Sequence, residues 1–290
     1  MNKTDGLNFA HRTNERLENI FSYFSSRYRL FTVLCFLFMV IIMIFGAPFK
    51  VVLREDAYVY LLKGFEITEG NWVPIRSHSI GWSIFLAFFL EIFSIKSLFN
   101  GMILSRILSI LLMGLSVFPL SGIASRALDR KSAIVAVAAF TLSSKLIVTG
   151  REAYSEPLFF FIVISTVYFL VNSYTKSSNM LIATILGSIS FYVRPNGIFM
   201  LGVIYLYLIY LLWCKKINWS FLLVVPGLYF LVSLPHLYAR HEAFGSPTSF
   251  GINSQFFADS VRYTLSSGHG ESSAIETLKT YSIWDYYDKF

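Results

Sequence analysis

Charged residues are scarce in this sequence. They make up 14% of its 290 residues, whereas 55% are hydrophobic and 18% are aromatic. A typical soluble domain carries about 25% charged residues. The composition therefore excludes an ordinary soluble protein and predicts an all-α, polytopic bundle of transmembrane helices.

Cysteine is nearly absent. Cys35 and Cys214 lie inside apolar runs, and neither belongs to a CxxC motif or to a group of Cys and His residues. A disulfide framework or a metal site built on such residues is therefore not expected. We expect no cofactor, because nothing in the sequence supports a divalent metal.

Acidic residues are fewer than basic ones. The chain has 24 Lys and Arg against 17 Asp and Glu, which gives a formal net charge of +7. In a soluble protein this excess would suggest a nucleic-acid partner. Here the basic residues cluster in short segments between apolar runs, where they set membrane topology, so we expect membrane lipids and no nucleic acid as partners.

The apolar stretches predict about seven membrane spans. They lie at 31–50, 101–122, 132–149, 156–174, 180–193 with a slight extension, 197–213 and 219–237. An eighth stretch, 80–95, contains Glu91 and is shorter than the roughly 20 residues that a span needs. We predict a cytoplasmic tail at 1–30, a transmembrane core at 31–237 and an extracytoplasmic segment at 238–290.

The basic residues decide where the stretch 80–95 lies. The N-terminal tail is basic, and cytoplasmic segments are enriched in Lys and Arg. If 80–95 does not span, three further basic segments share the side of the tail, namely Arg126 to Lys131, Lys176, and Lys215 with Lys216. We therefore place 80–95 on the outer face as an interfacial or re-entrant helix of a multi-pass inner-membrane protein with a cytoplasmic N-terminus.

Asp56 follows the first apolar stretch, in the segment "VVLREDAYVY". One interpretation is a solvated acid at the membrane edge, where a charge costs little. The other is a general base facing a cavity between helices, which would accept a proton from an acceptor hydroxyl. Tyr60 is four residues further on, whereas the neighbouring Glu55 must point elsewhere.

The segment "GREAYSEPLF" combines Arg151, Glu152 and Glu156. The two acids are four residues apart and would share a face if this stretch were helical. Ser155, Glu156 and Pro157 also form a plausible helix start, since acids favour helix N-termini. The segment is thus a helix start, a functional site, or both.

Three further residues are candidates on the predicted outer face. Arg194, in "YVRPNG", is either an anchor at the lipid headgroups or a bidentate phosphate ligand. Arg106 lies early in an apolar helix, where arginines face a bundle interior or a cavity. His78 has no second His or Cys nearby, so we expect it to bind no metal.

An ordered series of short motifs connects these residues. It comprises Asp56 with Tyr60, "EGNWVP" at 69–74, "HSIGWSIFLAFF" at 78–89, "SRILSI" with Arg106, Glu156-Pro157, and "RPNG" at 194–197. In order and spacing, over roughly residues 30–250, the series resembles the GT-C superfamily of membrane glycosyltransferases. Within that superfamily it resembles the branch of protein O-mannosyltransferases and lipid A aminoarabinose transferases.

The resemblance implies transfer of a sugar from a polyprenyl-phosphate donor to a glycan, lipid or protein acceptor on the outer face. Position by position, it implies that Asp56 is the catalytic base and Glu156 a second catalytic acid. It also implies substrate or phosphate binding by Arg194, Arg106, Arg151, His78, Tyr60 and Glu152.

Two other classes of protein stay open. A flippase for lipid-linked oligosaccharides would place charges near the bilayer midplane on discontinuous helices, whereas most charges here are expected at one face. A non-catalytic assembly subunit would need no acid at position 56.

Overall fold

The computed structural model describes residues 21–51, 53–74 and 79–245, without the side chain of Glu55. Within these ranges all regular secondary structure is helical and no strand occurs, which confirms the all-α prediction. The predictions for the tail up to residue 20, for His78 and for the segment beyond residue 245 lie outside the described residues.

Residues 21–26 are helical, and eleven further α-helices and one 3₁₀-helix follow along the described chain. They are α1 (Tyr28–Gly46), α2 (Glu55–Thr68), α3 (Gly81–Ile92), α4 (Leu98–Leu115), α5 (Val117–Ala127), α6 (Arg130–Thr141), α7 (Ser144–Arg151), α8 (Glu156–Ser173), α9 (Ser178–Val193), the 3₁₀-helix Pro195–Ile198, α10 (Phe199–Trp213) and α11 (Phe221–Phe244).

Five helical segments of the described chain are long and apolar enough to cross a membrane. They are Tyr28–Gly46, Leu98–Ala127, Glu156–Ser173, Pro195–Trp213 and Phe221–Phe244. The pair α6 and α7 makes a sixth if both helices belong to one bent span. The helix α9 has 16 residues, or about 24 Å at the rise of an α-helix, so the expected total of seven spans stays a prediction.

The bend between α6 and α7 divides a stretch that the sequence predicts as one span. The two helices meet at 46°. The break falls in "TLSS", where Thr141 already donates its hydroxyl to the Val137 carbonyl at 2.8 Å. Such hydroxyl groups compete with helical backbone hydrogen bonds, which accounts for a break that a plot of hydrophobicity does not detect.

One buried apolar cluster joins the elements that carry the candidate residues. It contains Ala57, Tyr60 and Leu61 of α2, Trp82, Leu86 and Leu90 of α3, Leu104 and Leu108 of α4, Ala153, Leu158 and Val193. Interiors of this kind are close-packed and resist displacement. The predicted outer loop is therefore partly helical and is packed on the transmembrane helices.

Contacts at the helix ends define two groups of termini. The guanidinium of Arg130, at the start of α6, lies 4.8 Å from the ring of Tyr28, at the start of α1. The guanidinium of Arg151, at the end of α7, donates to the carbonyl of Gly46, at the end of α1, at 3.4 Å. The chain from α6 to α7 therefore runs in the same direction as α1.

Candidate functional site

Helix α2 positions the first two candidate residues. It begins directly after Arg54, so Asp56 lies in its first turn, where the helix dipole stabilises a carboxylate. The Asp56 side chain is exposed, whereas Tyr60, one turn further on, is buried. Because residues four apart share a helix face, the two side chains lie on the same side of α2, a helix that the sequence did not predict.

Tyr60 is the point where several candidates converge. Ser155, Arg194, Asp56 and Glu156 all lie close enough to its hydroxyl to influence it. Burial is the main factor that raises the pKa of the Tyr60 phenol, and the two carboxylates add to the rise while Ser155 and Arg194 oppose it. Tyr60 therefore stays protonated at neutral pH and can donate a hydrogen bond.

Glu156 and Arg194 form an ion pair. Glu156 Oε1 lies 2.5 Å from Arg194 Nη1, and their side chains are 32% and 36% exposed. Glu156 is the first residue of α8 and is followed by Pro157, as the sequence predicts. The Ser155 side chain does not cap α8.

The turn after α9 fixes the backbone of Arg194. A Cβ at Gly197 would collide with the backbone of Ser190 and Phe191, so the turn requires glycine. The Gly197 carbonyl accepts a hydrogen bond of 3.0 Å from the Tyr229 hydroxyl, and the Gly197 N–H donates to the Arg194 carbonyl at 2.9 Å. The predicted break at "RPNG" is thus a tight turn held by α9 and α11.

Glu152 lies in a second group of charges. Its Oε2 is 3.5 Å from Nε of Arg54, with side chains 19% and 72% exposed respectively. It also acts electrostatically on Arg106, which is buried in α4. The structure therefore brings together one exposed arginine, one partly buried carboxylate and one buried arginine.

A turn separates Glu152 from Glu156. Glu152 follows the end of α7, Glu156 starts α8, and Ala153 between them has a φ of 60°, a left-handed conformation that is unfavourable for alanine. The expectation of two acids on one helix face therefore does not hold. The indole N–H of Trp82 donates to the Ala153 carbonyl at 3.0 Å and holds this turn.

The remaining candidates are not part of either group. Arg151 is directed to the Gly46 carbonyl at the end of α1, and the guanidinium fills the space above that glycine. His78 lies outside the described residues. Arg151 therefore has a structural contact that its place in the sequence did not predict.

Sequence reasoning missed three contributors, namely Arg54, Trp82 and Ser155. Nothing in the local sequence gives Arg54 a partner, and Ser155 is predicted only as part of a helix start. Their partners are distant in sequence, 98 residues for the Arg54–Glu152 pair and 71 residues for the hydrogen bond of Trp82. A pairwise signal between distant positions could have found them, but local spacing could not.

The two groups together contain three carboxylates, one phenol and three arginines. In the described part of the chain, no group of three or more His, Cys, Asp or Glu side chains is arranged to hold a metal ion. These groups suit proton transfer and the binding of an anion.

No protein-family model and no curated protein matches this chain. The resemblance to GT-C glycosyltransferases therefore depends on the ordered motifs alone, and what it implies about activity enters below as a proposal.

Proposed function

We propose that the chain is a membrane glycosyltransferase that moves a sugar from a polyprenyl-phosphate donor to a hydroxyl of a glycan, lipid or protein. One observation supports this function most. Residues from three separate segments lie near one another around Tyr60. They are Asp56 and Tyr60 of α2, Glu156 at the start of α8, and Arg194 in the turn after α9. Their order along the chain is that of the glycosyltransferase motifs.

The proposed reaction needs one base and one anion-binding group. The acceptor oxygen attacks C1 of the sugar, and the bond from C1 to the phosphate oxygen breaks with its electron pair leaving on the phosphate. Asp56 takes the proton of the acceptor hydroxyl. The products are the glycosylated acceptor and the polyprenyl phosphate, which carries one more negative charge than the donor phosphate.

Cations stabilise the negative charge that develops on the leaving phosphate. A cation placed beside the leaving phosphate lowers the barrier because it interacts more strongly with the transition state than with the donor. Tyr60, which stays protonated, can donate to the sugar or to the acceptor. Glu156, paired with Arg194, is suited to hold a sugar or acceptor hydroxyl.

The proposal includes a seven-span topology in which α9 is a short span and α3 lies at the outer interface. One face of α3 is buried, with Trp82, Leu86 and Leu90, whereas Phe88 and Ile92 are exposed. A helix that is apolar on both its packed and its exposed face is suited to contact with lipid. A short span such as α9 can be accommodated by local thinning of the bilayer. The site would then face the outer side of the inner membrane.

The bend between α6 and α7 favours one alternative, a flippase, because transporters place their sites on broken helices. In that case vesicles would move a radiolabelled lipid-linked sugar across the membrane without forming a new covalent product. The transferase instead forms product in detergent, where no second compartment exists.

The test of the transferase is Asp56→Asn in the full-length protein, assayed with polyprenyl-phosphate sugars labelled in the sugar. We expect transfer to fall by about 100-fold or more, since general-base catalysis contributes at least that factor, with normal membrane insertion. Glu69→Gln is the matched control, because Glu69 is an exposed acid at the other end of α2. Wild-type transfer in Asp56→Asn would disprove the assignment.

A further inference from the structure

An apolar groove of about 520 Å³ lies between α1 and α6, a volume that is typical of ligand sites. Its lining side chains are apolar apart from Cys35 and Thr141, and the Thr141 hydroxyl already donates to the Val137 carbonyl. Phe38 and Leu142, which also line the groove, are exposed. Because α1 is long and apolar enough to cross a membrane, this α1–α6 groove opens toward the hydrocarbon of the bilayer.

Helix α7 closes one end of the α1–α6 groove. On the side of α6 the lining ends at Leu142, where the chain bends into α7. Beyond the bend α7 packs closely on α1, since a Cβ at Gly150 would collide with the sulfur of Met43. A hydrocarbon chain in the groove can therefore extend no further than the bend, and the other end of the groove lies toward Arg130.

The length of the groove matches one leaflet of a bilayer. Phe31 and Ile41 of α1 both line it, and a helix rises about 15 Å over the ten residues between them. This rise is half of the hydrocarbon core, which is roughly 30 Å thick. The groove therefore suits an acyl chain that enters from one surface and reaches the middle of the bilayer.

The open end of the groove is basic. The Arg130 guanidinium lies 4.8 Å from the ring of Tyr28, and that ring lies 6.4 Å from the ring of Phe31 in the groove. The exposed charged residues of 27–29 and 129–131 are Arg27, Arg29, Asp129, Arg130 and Lys131. Their net charge is +3, because four cations accompany one carboxylate. The basic end and the apolar lining together have the chemistry of an anionic lipid.

We propose that the α1–α6 groove binds one anionic phospholipid, with an acyl chain along Phe31 to Ile41 and the phosphate at Arg130 and Lys131. Cationic groups beside membrane helices attract anionic headgroups, and an apolar lining accepts the chain but not a free anion. A lipid that binds only the folded protein also stabilises it. None of these residues belongs to the proposed transferase site, so the inference does not depend on sugar transfer.

The experiment measures lipid binding to the full-length protein in detergent by native mass spectrometry. The probes are dioleoyl phosphatidylglycerol, which is anionic, dioleoyl phosphatidylcholine, which is zwitterionic and has the same chains, and inorganic phosphate. We expect one phosphatidylglycerol to bind at least about tenfold more tightly than phosphatidylcholine, as two cations near the headgroup predict. Inorganic phosphate should not displace it, because the acyl chain supplies the rest of the affinity.

Charge variants test the headgroup end of the groove. Combining Arg130→Gln with Lys131→Gln should weaken phosphatidylglycerol binding by at least about tenfold and leave phosphatidylcholine binding unchanged. Arg130→Lys keeps the charge and should stay within about threefold of wild type. Lys216→Gln is the matched control, because Lys216 also lies over an aromatic ring, that of Tyr174, but on the connection between α10 and α11.

Filling the groove tests the position of the acyl chain. Ala138 lines the groove, so Ala138→Phe should weaken binding of both phospholipids by at least about tenfold, because the new ring takes the space of the chain. Ala139→Phe is the matched control, since Ala139 is exposed and is not part of the lining. Thermal unfolding without added lipid shows whether each variant folds. If Ala138→Phe does not fold, Ala138→Leu tests the same point and should weaken binding less.

Several results would overturn the inference. They are equal binding of phosphatidylglycerol and phosphatidylcholine, unchanged binding in the double charge variant, and equal effects of Ala138→Phe and Ala139→Phe. If the wild type is a dimer that Ala138→Phe makes monomeric, a second copy of the chain covers the groove and no phospholipid does. If a short-chain isoprenyl phosphate binds more tightly than phosphatidylglycerol and displaces it, the groove holds the sugar-donor lipid and the phospholipid assignment is wrong.

Discussion

At the residue scale, we expect the contact between Glu156 and Arg194 to affect function more than stability. Both side chains are about one-third exposed, and exposed ion pairs contribute less than about 1 kcal/mol. We predict that Glu156→Gln and Arg194→Gln each lower transfer by about 10-fold or more, with little change in unfolding temperature. The double variant should be no worse than the poorer single variant, because residues that act as a unit are not additive.

The control for this pair is Glu91→Gln, an exposed acid near the end of α3, which should transfer sugar as wild type does. The double-mutant cycle compares the transfer rates and unfolding temperatures of the wild type, the two single variants and the double variant. Losses that multiply in the double variant would show that Glu156 and Arg194 act independently.

Residue spacing predicted only the local part of this site. The acid followed by proline places Glu156 at a helix start, as the structure has it, whereas the helix that puts Asp56 and Tyr60 on one face was not predicted. The proximity of Ser155 to Tyr60 depends on where the turn before α8 lies relative to α2. Because a serine before a helix ordinarily accepts from backbone N–H groups, its role toward Tyr60 could not be derived from the sequence alone.

At the element scale, the start of α3 connects the two segments that carry the ion pair. Trp82 donates to the Ala153 carbonyl, three residues before Glu156. Gly81 packs against the backbone before Arg194, where a Cβ would lie 2.6 Å from the carbonyl carbon of Tyr192. The position of α3 on the bundle therefore determines the separation of Glu156 and Arg194.

We predict that Trp82→Phe destabilises the protein by about 1–3 kcal/mol, because it keeps an aromatic ring but leaves the buried Ala153 carbonyl without its donor. Transfer should fall as well, since the turn before Glu156 is released. Thermal unfolding and transfer assays on the purified protein measure both effects. A variant with wild-type stability and transfer would show that the hydrogen bond does not position Glu156.

Gly81→Ala tests the same connection from the side of Arg194. The added methyl group forces α3 and α9 apart, so we expect a loss of stability of about 1–3 kcal/mol from overpacking, together with weaker transfer. Gly202→Ala is the matched control, because a Cβ there meets nothing within 4 Å and alanine favours the helix. Equal stability of the two variants would contradict the close packing of α3 on α9.

The limits of sequence prediction at this scale have physical causes. Apolar length located Tyr28–Gly46 and Pro195–Trp213 to within four residues of the predicted bounds. It did not detect α2, whose 14 residues include four charges, because that helix is stabilised by packing one face on the core. Likewise α11 extends to Phe244, beyond the predicted end at 237, because buried Arg240 continues the face that packs on the bundle.

At the scale of the whole molecule, the two groups of helix termini differ in charge. One group carries Arg130 near Tyr28 and Lys216 near Tyr174, each basic group lying over an aromatic ring. The other carries Asp56, Glu156 and Arg194, with acids and bases mixed. Basic residues beside aromatic rings are typical of the cytoplasmic boundary of a membrane protein, which supports the proposed orientation.

The proposed topology predicts which single cysteines are reachable from each side. In a background with Cys35 and Cys214 replaced by alanine, cysteines at positions 56, 152 and 194 should react with a membrane-impermeant maleimide added outside intact spheroplasts. Cysteines at positions 176 and 216 should react only after the membrane is opened, and they serve as controls for its integrity. Labelling at 56 but not at 152 would mean that 80–95 crosses the membrane, because one additional crossing reverses every later segment. The residues that converge in space would then be assigned to opposite sides, and the seven-span topology would be wrong.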